Sequence, residues 1–184
     1  MMKYVLIILL FSNQFSSCQK NNIKTMTIFS SNSDTAIKPF TYLALGDSYT
    51  IGHDVPAEES YPNQTISLLK KDGVIGQVKI IATTGWTTTD LKNAITNAQN
   101  SGTLLTRYDI VTLLIGVNNE YRGFPVTTYE SEFEELLKNS ILLTGKNAAH
   151  VIVLSIPDWS VTPFAAGKNT EKISKEIDQY NAIN

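Results

Sequence analysis

Cysteine is nearly absent from this sequence: Cys18 is the only one among 184 residues. A single cysteine closes no internal disulfide, so the chain is no cross-linked scaffold and folds on a hydrophobic core. An excess of positive charge is missing as well. Fifteen Lys and Arg face 17 Asp and Glu, for a formal net charge of −2, and no basic stripe runs along the chain. That excludes the electrostatic footprint of a nucleic-acid binder. No repeat, low-complexity tract or heptad run is present, which removes solenoids and coiled coils. The apolar run at the start, Tyr4 to Phe11, falls far short of the ~20 residues that a membrane-spanning helix needs. What remains is a chain of ordinary apolar content, long enough for one domain and too short for two comfortable ones.

The opening "MMKYVLIILLFSNQFSSCQKNN" has one lysine, a short apolar stretch and then small polar residues. That is the layout of a secretory signal. Cys18 follows the small-residue zone directly, and "FSSC" resembles the lipobox of bacterial lipoproteins, whose cysteine is lipidated and becomes the new N-terminus. Ser16 and Ser17 fit the small positions, while Phe15 stands where Leu is usual. The expected organisation is a signal peptide over 1–17, a lipidated Cys18 with a flexible tether over 18–38, and one folded domain over 39–184. The tether is rich in Asn, Ser, Thr and Lys, a composition that does not fold alone. The protein is then exported, periplasmic or outer-membrane-associated, and held to the membrane by its lipid. A plain signal peptide with an incidental cysteine, giving a secreted soluble protein, is the bland alternative.

From Pro39 onward, strand-like and helix-like segments alternate. "FTYLALG" (40–46), "VKIIATTG" (78–85), "YDIVTLLIG" (108–116) and "HVIVLSIP" (150–157) are short runs rich in Val, Ile and Leu. They read as strands buried on both faces, as in a parallel sheet. Helical patterns lie between them. Ser60 with Pro62 opens one that runs to Lys71, and Thr88 or Thr89 opens a second with Leu91, Ala94, Ile95 and Ala98 on one stripe. Thr127 and Glu130, at capping-box spacing, open a third, and the fourth begins near Thr170. The pattern predicts a flavodoxin-like three-layer α/β/α sandwich around a parallel sheet. A fifth strand normally follows such a fourth helix, and the expectation is a C-terminal truncation that leaves out the last strand and helix.

In open α/β sheets, ligands sit outside the carboxyl ends of the strands. The informative residues therefore follow each apolar run: Gly46, Asp47 and Ser48; Thr83 to Trp86; Gly116 to Asn119; Pro157 to Trp159. A serine, a glycine amide, a carboxamide and a carboxylate converge on one edge. "GDSYT", the glycine of "TTGWTT" and "GVNN" in this order and at strand ends resemble three sequence blocks of the SGNH hydrolases, also called GDSL esterases/lipases. The resemblance spans about residues 40–184.

It implies Ser48 as nucleophile, with its own N–H, the Gly85 N–H and the Asn118 carboxamide as oxyanion hole, and a carboxylic ester of a lipid, sugar or small molecule as substrate. No cofactor or metal is implied. Fixed donors aimed at the developing oxyanion are the largest catalytic term in such chemistry, and glycine at 85 lets the backbone come close. Two departures stand out. Asn119 takes a position where the family often has Asp, and the family's D-x-x-H segment, source of the general base, occurs nowhere in this chain. A chain without it is expected to be nearly inactive.

Of the two histidines, His150 falls at the amino end of its strand, opposite Ser48. His53 reaches Ser48 only if its loop folds back tightly. Asp158 reads as the start of a "PDW" turn and Asp47 as a helper of its own turn. Arg122 reads as a solvated surface residue more than as a contact for an anionic substrate group. Trp86, Tyr121, Phe124, Trp159 and Phe164 lie in loops at the active edge, where an aromatic lines an acyl pocket or covers core. A phosphate-cradling nucleotide domain is disfavoured, since "GDSYTIG" is no glycine-rich loop. A non-catalytic carbohydrate-binding or adhesion module on the same fold stays open, because fold alone does not decide function.

Overall fold

The computed structural model describes residues 38–184. The expected signal segment, Cys18 and the tether up to residue 37 lie outside the described residues. Among the described residues four strands form one sheet in the order β2-β1-β3-β4, all pairs parallel. They are β1 (Phe40–Gly46), β2 (Gly76–Ala82), β3 (Ile110–Leu114) and β4 (Val151–Val153). β1 and β3 are central and almost wholly buried, as their unbroken apolar runs require. β2 and β4 flank them and alternate toward solvent, with Gln77, Lys79 and Ile152 exposed. The reading of all four as strands buried on both faces is thus corrected for the outer two. As edge strands they lie where the flanking helices cover them less fully, so these side chains reach solvent.

Reversal of strand order puts the connecting helices on opposite faces. The step from β1 to β2 runs one way across the sheet and the step from β2 to β3 runs back over β1, so right-handed crossovers switch sides. Residue parity bears this out. Leu43, Leu45, Val111 and Leu113 join the main core with Leu91 and Ile95 of α3 (Thr88–Asn100), Phe133 and Leu136 of α5 (Val126–Leu143), and Ile173 and Ile177 of α6 (Thr170–Asn181). On the other face, the Tyr42 hydroxyl and that of Tyr61, in α2 (Tyr61–Lys71), both meet Thr112 Oγ1, at 2.9 and 3.0 Å. Helices on both faces of one parallel sheet make the expected three-layer α/β architecture.

Helix starts follow local chemistry with two corrections. Thr87 and Asp90 form a reciprocal capping box on α3, and Asn169 caps α6 through Lys172 N at 3.0 Å. The box expected from Thr127 and Glu130 does not form: α5 has Pro125 at its N-cap, two residues before Thr127, and no side chain caps it. Ser60 precedes α2, but its hydroxyl donates to Ala57 O at 2.8 Å and accepts from the Asn63 side chain at 3.0 Å, so it caps no backbone N–H of the helix. Two short helices escape the periodicity argument altogether, α1 (Ser48–Ile51) and α4 (Val117–Tyr121). Each is about one turn long, too short to display a 3.6-residue pattern. Both sit at the carboxyl edge.

Candidate active site

The register of the sheet sets the site. Gly46 pairs with Ala82 on one side and Leu114 on the other, so β1, β2 and β3 end level and their following loops emerge side by side. Order 2-1-3 makes the gap between β1 and β3 the switch point, where neighbouring connections leave to opposite faces and open a crevice. A cleft of about 390 Å³ lies there, lined among others by Ser48, Asn118, Tyr121, Trp159 and Phe164.

Ser48 enters the cleft because β1 breaks directly into α1. A Cβ on Gly46 would lie 2.0 Å from Thr50 Oγ1 and 2.4 Å from Leu114 O, so only glycine permits so sharp a strand-to-helix corner. Asp47 caps α1, its Oδ1 accepting from Tyr49 N at 3.0 Å. This is the turn-helper role expected of it. Asp47 is 1% exposed, and burial pushes its carboxyl up to about 7 against the lowering effect of that backbone N–H. Ser48 stands at the first helical position, where a backbone N–H has no intrahelical acceptor.

Gly85 occupies the turn after β2 with φ +85°, a left-handed conformation that suits glycine. Among the described residues no acceptor takes its N–H. Two residues of the β3 loop hold this turn in place. Asn118 Nδ2 donates to Trp86 O at 2.9 Å, leaving its second N–H uncommitted. Arg122 Nη2 donates to Gly85 O at 2.6 Å. Arg122 is exposed, as expected of a surface residue, and its guanidinium also grips the turn that carries Gly85. The signal was present in the spacing, since Asn118 and Arg122 are four residues apart and share one helical face. It was unreadable without knowing that a helix starts at Val117.

Asn119 is fully buried. Its Oδ1 accepts from Thr88 N at 3.1 Å and its Nδ2 donates to Thr88 Oγ1 at 2.7 Å. Thr88 Oγ1 in turn donates to Glu132, which also takes Thr89 Oγ1 at 2.6 Å. The amide does here what a carboxylate could not. It supplies a donor to the threonine oxygen, so the threonine hydrogen is passed on to Glu132 and three elements are tied together.

The remaining candidates sort clearly. Left-handed Gly52 (φ 79°) ends α1 and folds the loop back, with His53 N donating to Ser48 O at 3.0 Å. His53 thus lines the cleft, which the sequence allowed only if that loop folded tightly. Its Nε2 lies 3.6 Å from Asp54 Oδ1, and among the described residues no hydrogen bond joins it to Ser48. His150 precedes β4 at the opposite edge, as expected. Asp158 caps the turn 159–161 through Ser160 N at 2.8 Å, and its hydrogen bonds with Ser160 hold its carboxyl below the usual range. Trp86 packs on the core, and Phe124 lies outside the cleft lining.

Tyr121, Trp159 and Phe164 form one aromatic wall, with ring centroids 5.5 to 5.8 Å apart. Trp159 Nε1 donates to buried Glu120 at 2.7 Å, which fixes the indole. Burial raises the Glu120 carboxyl, and the indole donor partly offsets this.

The sequence profile of the GDSL-like Lipase/Acylhydrolase family matches residues 44–184. The chain belongs to this family. Solved structures with the same fold include AlinE4, an SGNH-hydrolase family esterase, at TM-score 0.61 and 16% identity over 79% of this chain and 69% of that one. TesA aligns at TM-score 0.58 and 14% identity over 78% and 69%. The lipase/acylhydrolase from Enterococcus faecalis aligns at TM-score 0.54 and 16% identity over 78% and 70%. No curated protein matches by sequence. As a member of the GDSL-like family, the protein is an ester hydrolase in the general sense, with its cleft at the β1/β3 switch point.

Proposed function

We propose that this GDSL-like family member cleaves carboxylic esters with Ser48 as nucleophile. The observation that carries the reading is Ser48 and Asn118 lining one cleft, with Gly85 held beside them by the same short helix that bears Asn118. The Ser48 hydroxyl adds to the acyl carbon, and the carbonyl oxygen becomes an oxyanion received by the N–H groups of Ser48 and Gly85 and by Asn118. Collapse expels the alcohol, which takes the serine proton by way of the base. Water then attacks the acyl-serine, releases the acid and returns the proton to Ser48. The aromatic wall of Tyr121, Trp159 and Phe164 accepts the apolar part of the substrate.

The base in this proposal is a histidine of a D-x-x-H segment encoded beyond Asn184. Both histidines of the 184-residue chain lie among the described residues, and neither is hydrogen-bonded to Ser48 Oγ. The chain by itself then shows only residual turnover, since donors without a base retain a small part of the rate. Export through the 1–17 segment and lipidation at Cys18 belong to the same proposal and rest on the sequence alone.

The test is release of p-nitrophenol from p-nitrophenyl acetate by three proteins: this chain, the chain extended through its natural downstream reading frame, and the extended Ser48→Ala variant. Turnover confined to the extended serine protein supports the reading. Equal turnover by the 184-residue chain overturns the external base and points to His53. No turnover by any folded version favours a binding module.

A further inference from the structure

We propose that Arg122 is a positioning residue that holds the Gly85 turn in its oxyanion-binding shape, an inference that rests on the hydrolase reading above. Glycine has the broadest backbone freedom of any residue, so the direction of the Gly85 N–H has to be imposed from outside. Little in the turn itself does so: its internal restraint is the Trp86 N to Thr83 O bond at 3.2 Å. The rest comes from α4. Asn118 takes Trp86 O at 2.9 Å and Arg122, one turn further along, takes Gly85 O at 2.6 Å. Two consecutive carbonyls are thereby clamped by two donors on one helical face, one of which is the Asn118 side chain that also faces the substrate.

The environment of Arg122 singles it out. It is exposed, so it contributes little to the core. Among the described residues no carboxylate lies within ion-pair distance of it. Among the described residues its side chain makes one hydrogen bond, to the Gly85 carbonyl, a charge-assisted bond stronger than a neutral one. A Cβ placed on Gly85 would meet Arg122 Nη2 at 3.6 Å and no other atom within 4 Å. Among the described residues, and apart from the turn's own neighbours Thr84 and Trp86, the guanidinium alone packs on that side of the turn. With the clamp removed, the Gly85 carbonyl loses its side-chain partner and, among the described residues, the turn is left with the Trp86 N to Thr83 O bond and the Asn118 bond to Trp86 O. The Gly85 N–H, one peptide earlier, can then shift with the loosened turn, and a donor displaced by about 1 Å costs as much as a hundredfold in rate.

The experiment measures kcat and KM for p-nitrophenyl acetate on whichever parent chain, 184-residue or extended, turns over. Arg122→Ala is expected to lower kcat about ten- to a hundredfold with KM within about twofold, because the donor acts on the transition state and not on the bound ester. Added guanidinium is expected to restore part of that kcat, and Arg122→Lys to fall between, having a charge but no planar fork. Thermal midpoints are measured beside each variant. Unchanged kcat, or a rise in KM alone, overturns the inference, as does a loss of kcat that follows loss of fold and ignores guanidinium. An active parent with an inactive Ser48→Ala and a fully active Arg122→Ala sinks the clamp and leaves the hydrolase reading standing. A parent with no turnover, or an active Ser48→Ala, sinks both.

Discussion

A buried carboxyl directly beside the proposed nucleophile has a consequence for stability. Asp47 is held near 7 by burial, against an ordinary 3.8, so the folded protein binds its proton more tightly than the unfolded chain does. Below about pH 4 both states are protonated and Asp47 is neutral to stability. As pH rises from about 4 to about 7 the unfolded chain ionises first, and stability falls by at most roughly 4 kcal/mol before levelling off. Asp47→Asn keeps an oxygen for the Tyr49 N–H and removes the charge. Urea midpoints at pH 5 and pH 8.5 are expected to differ for the parent and to converge for the variant; equal slopes would refute the assignment. The turn role of Asp47 is legible in the sequence, since Gly-Asp-Ser at a strand end carries that meaning locally. Its titration was not legible, because desolvation depends on what packs over the side chain.

At the scale of elements, the corner between β1 and α1 decides where the serine points. The same methyl group has different costs at two glycines. Gly46→Ala drives a Cβ into Thr50 Oγ1 and Leu114 O and is expected to destabilise by about 3 kcal/mol or more. Gly73, with φ +84° and open space around it, is expected to lose only roughly 1–2 kcal/mol on change to Ala, from left-handed strain alone. Chemical denaturation of both variants checks the order, and a reversed order would mean that the corner relaxes freely. The long helices and the two central strands were legible from periodicity and apolar runs. α1 and α4 were not, being one turn each; α1 begins with Ser48, and α4 carries Asn118 and ends on Arg122 as its C-cap. The failed Thr127 box has a similar cause: Pro125 fixes an earlier start, and a capping pair fitted in sequence has no say over the entry of the chain.

At the scale of the molecule, the sheet has an outer strand with an exposed apolar residue. β4 pairs with β3 alone among the described residues, and Ile152 is 44% exposed. An open strand edge with an exposed isoleucine invites pairing between chains. Ile152→Lys is expected to reduce self-association several-fold by light scattering at unchanged far-UV dichroism. Equal scattering would place the contact elsewhere.

By itself the sequence determined the alternation of strands and helices, the burial of β1 and β3, and the family blocks around Ser48, Gly85 and Asn118, because each is a local pattern or a short run of fixed chemistry. Only the tertiary structure decided that Gly46, Ala82 and Leu114 end level, that His53 folds back into the cleft with its imidazole against Asp54, and that Asn119 and Arg122 lock separate loops together. The register joins residues 68 positions apart, Gly46 and Leu114, and the Arg122 contact joins residues 37 apart. The His53 turn is local, set by left-handed Gly52, but no short window along the chain contains the register or the Asn119 and Arg122 contacts, which exist only once the sheet brings the loops to one edge.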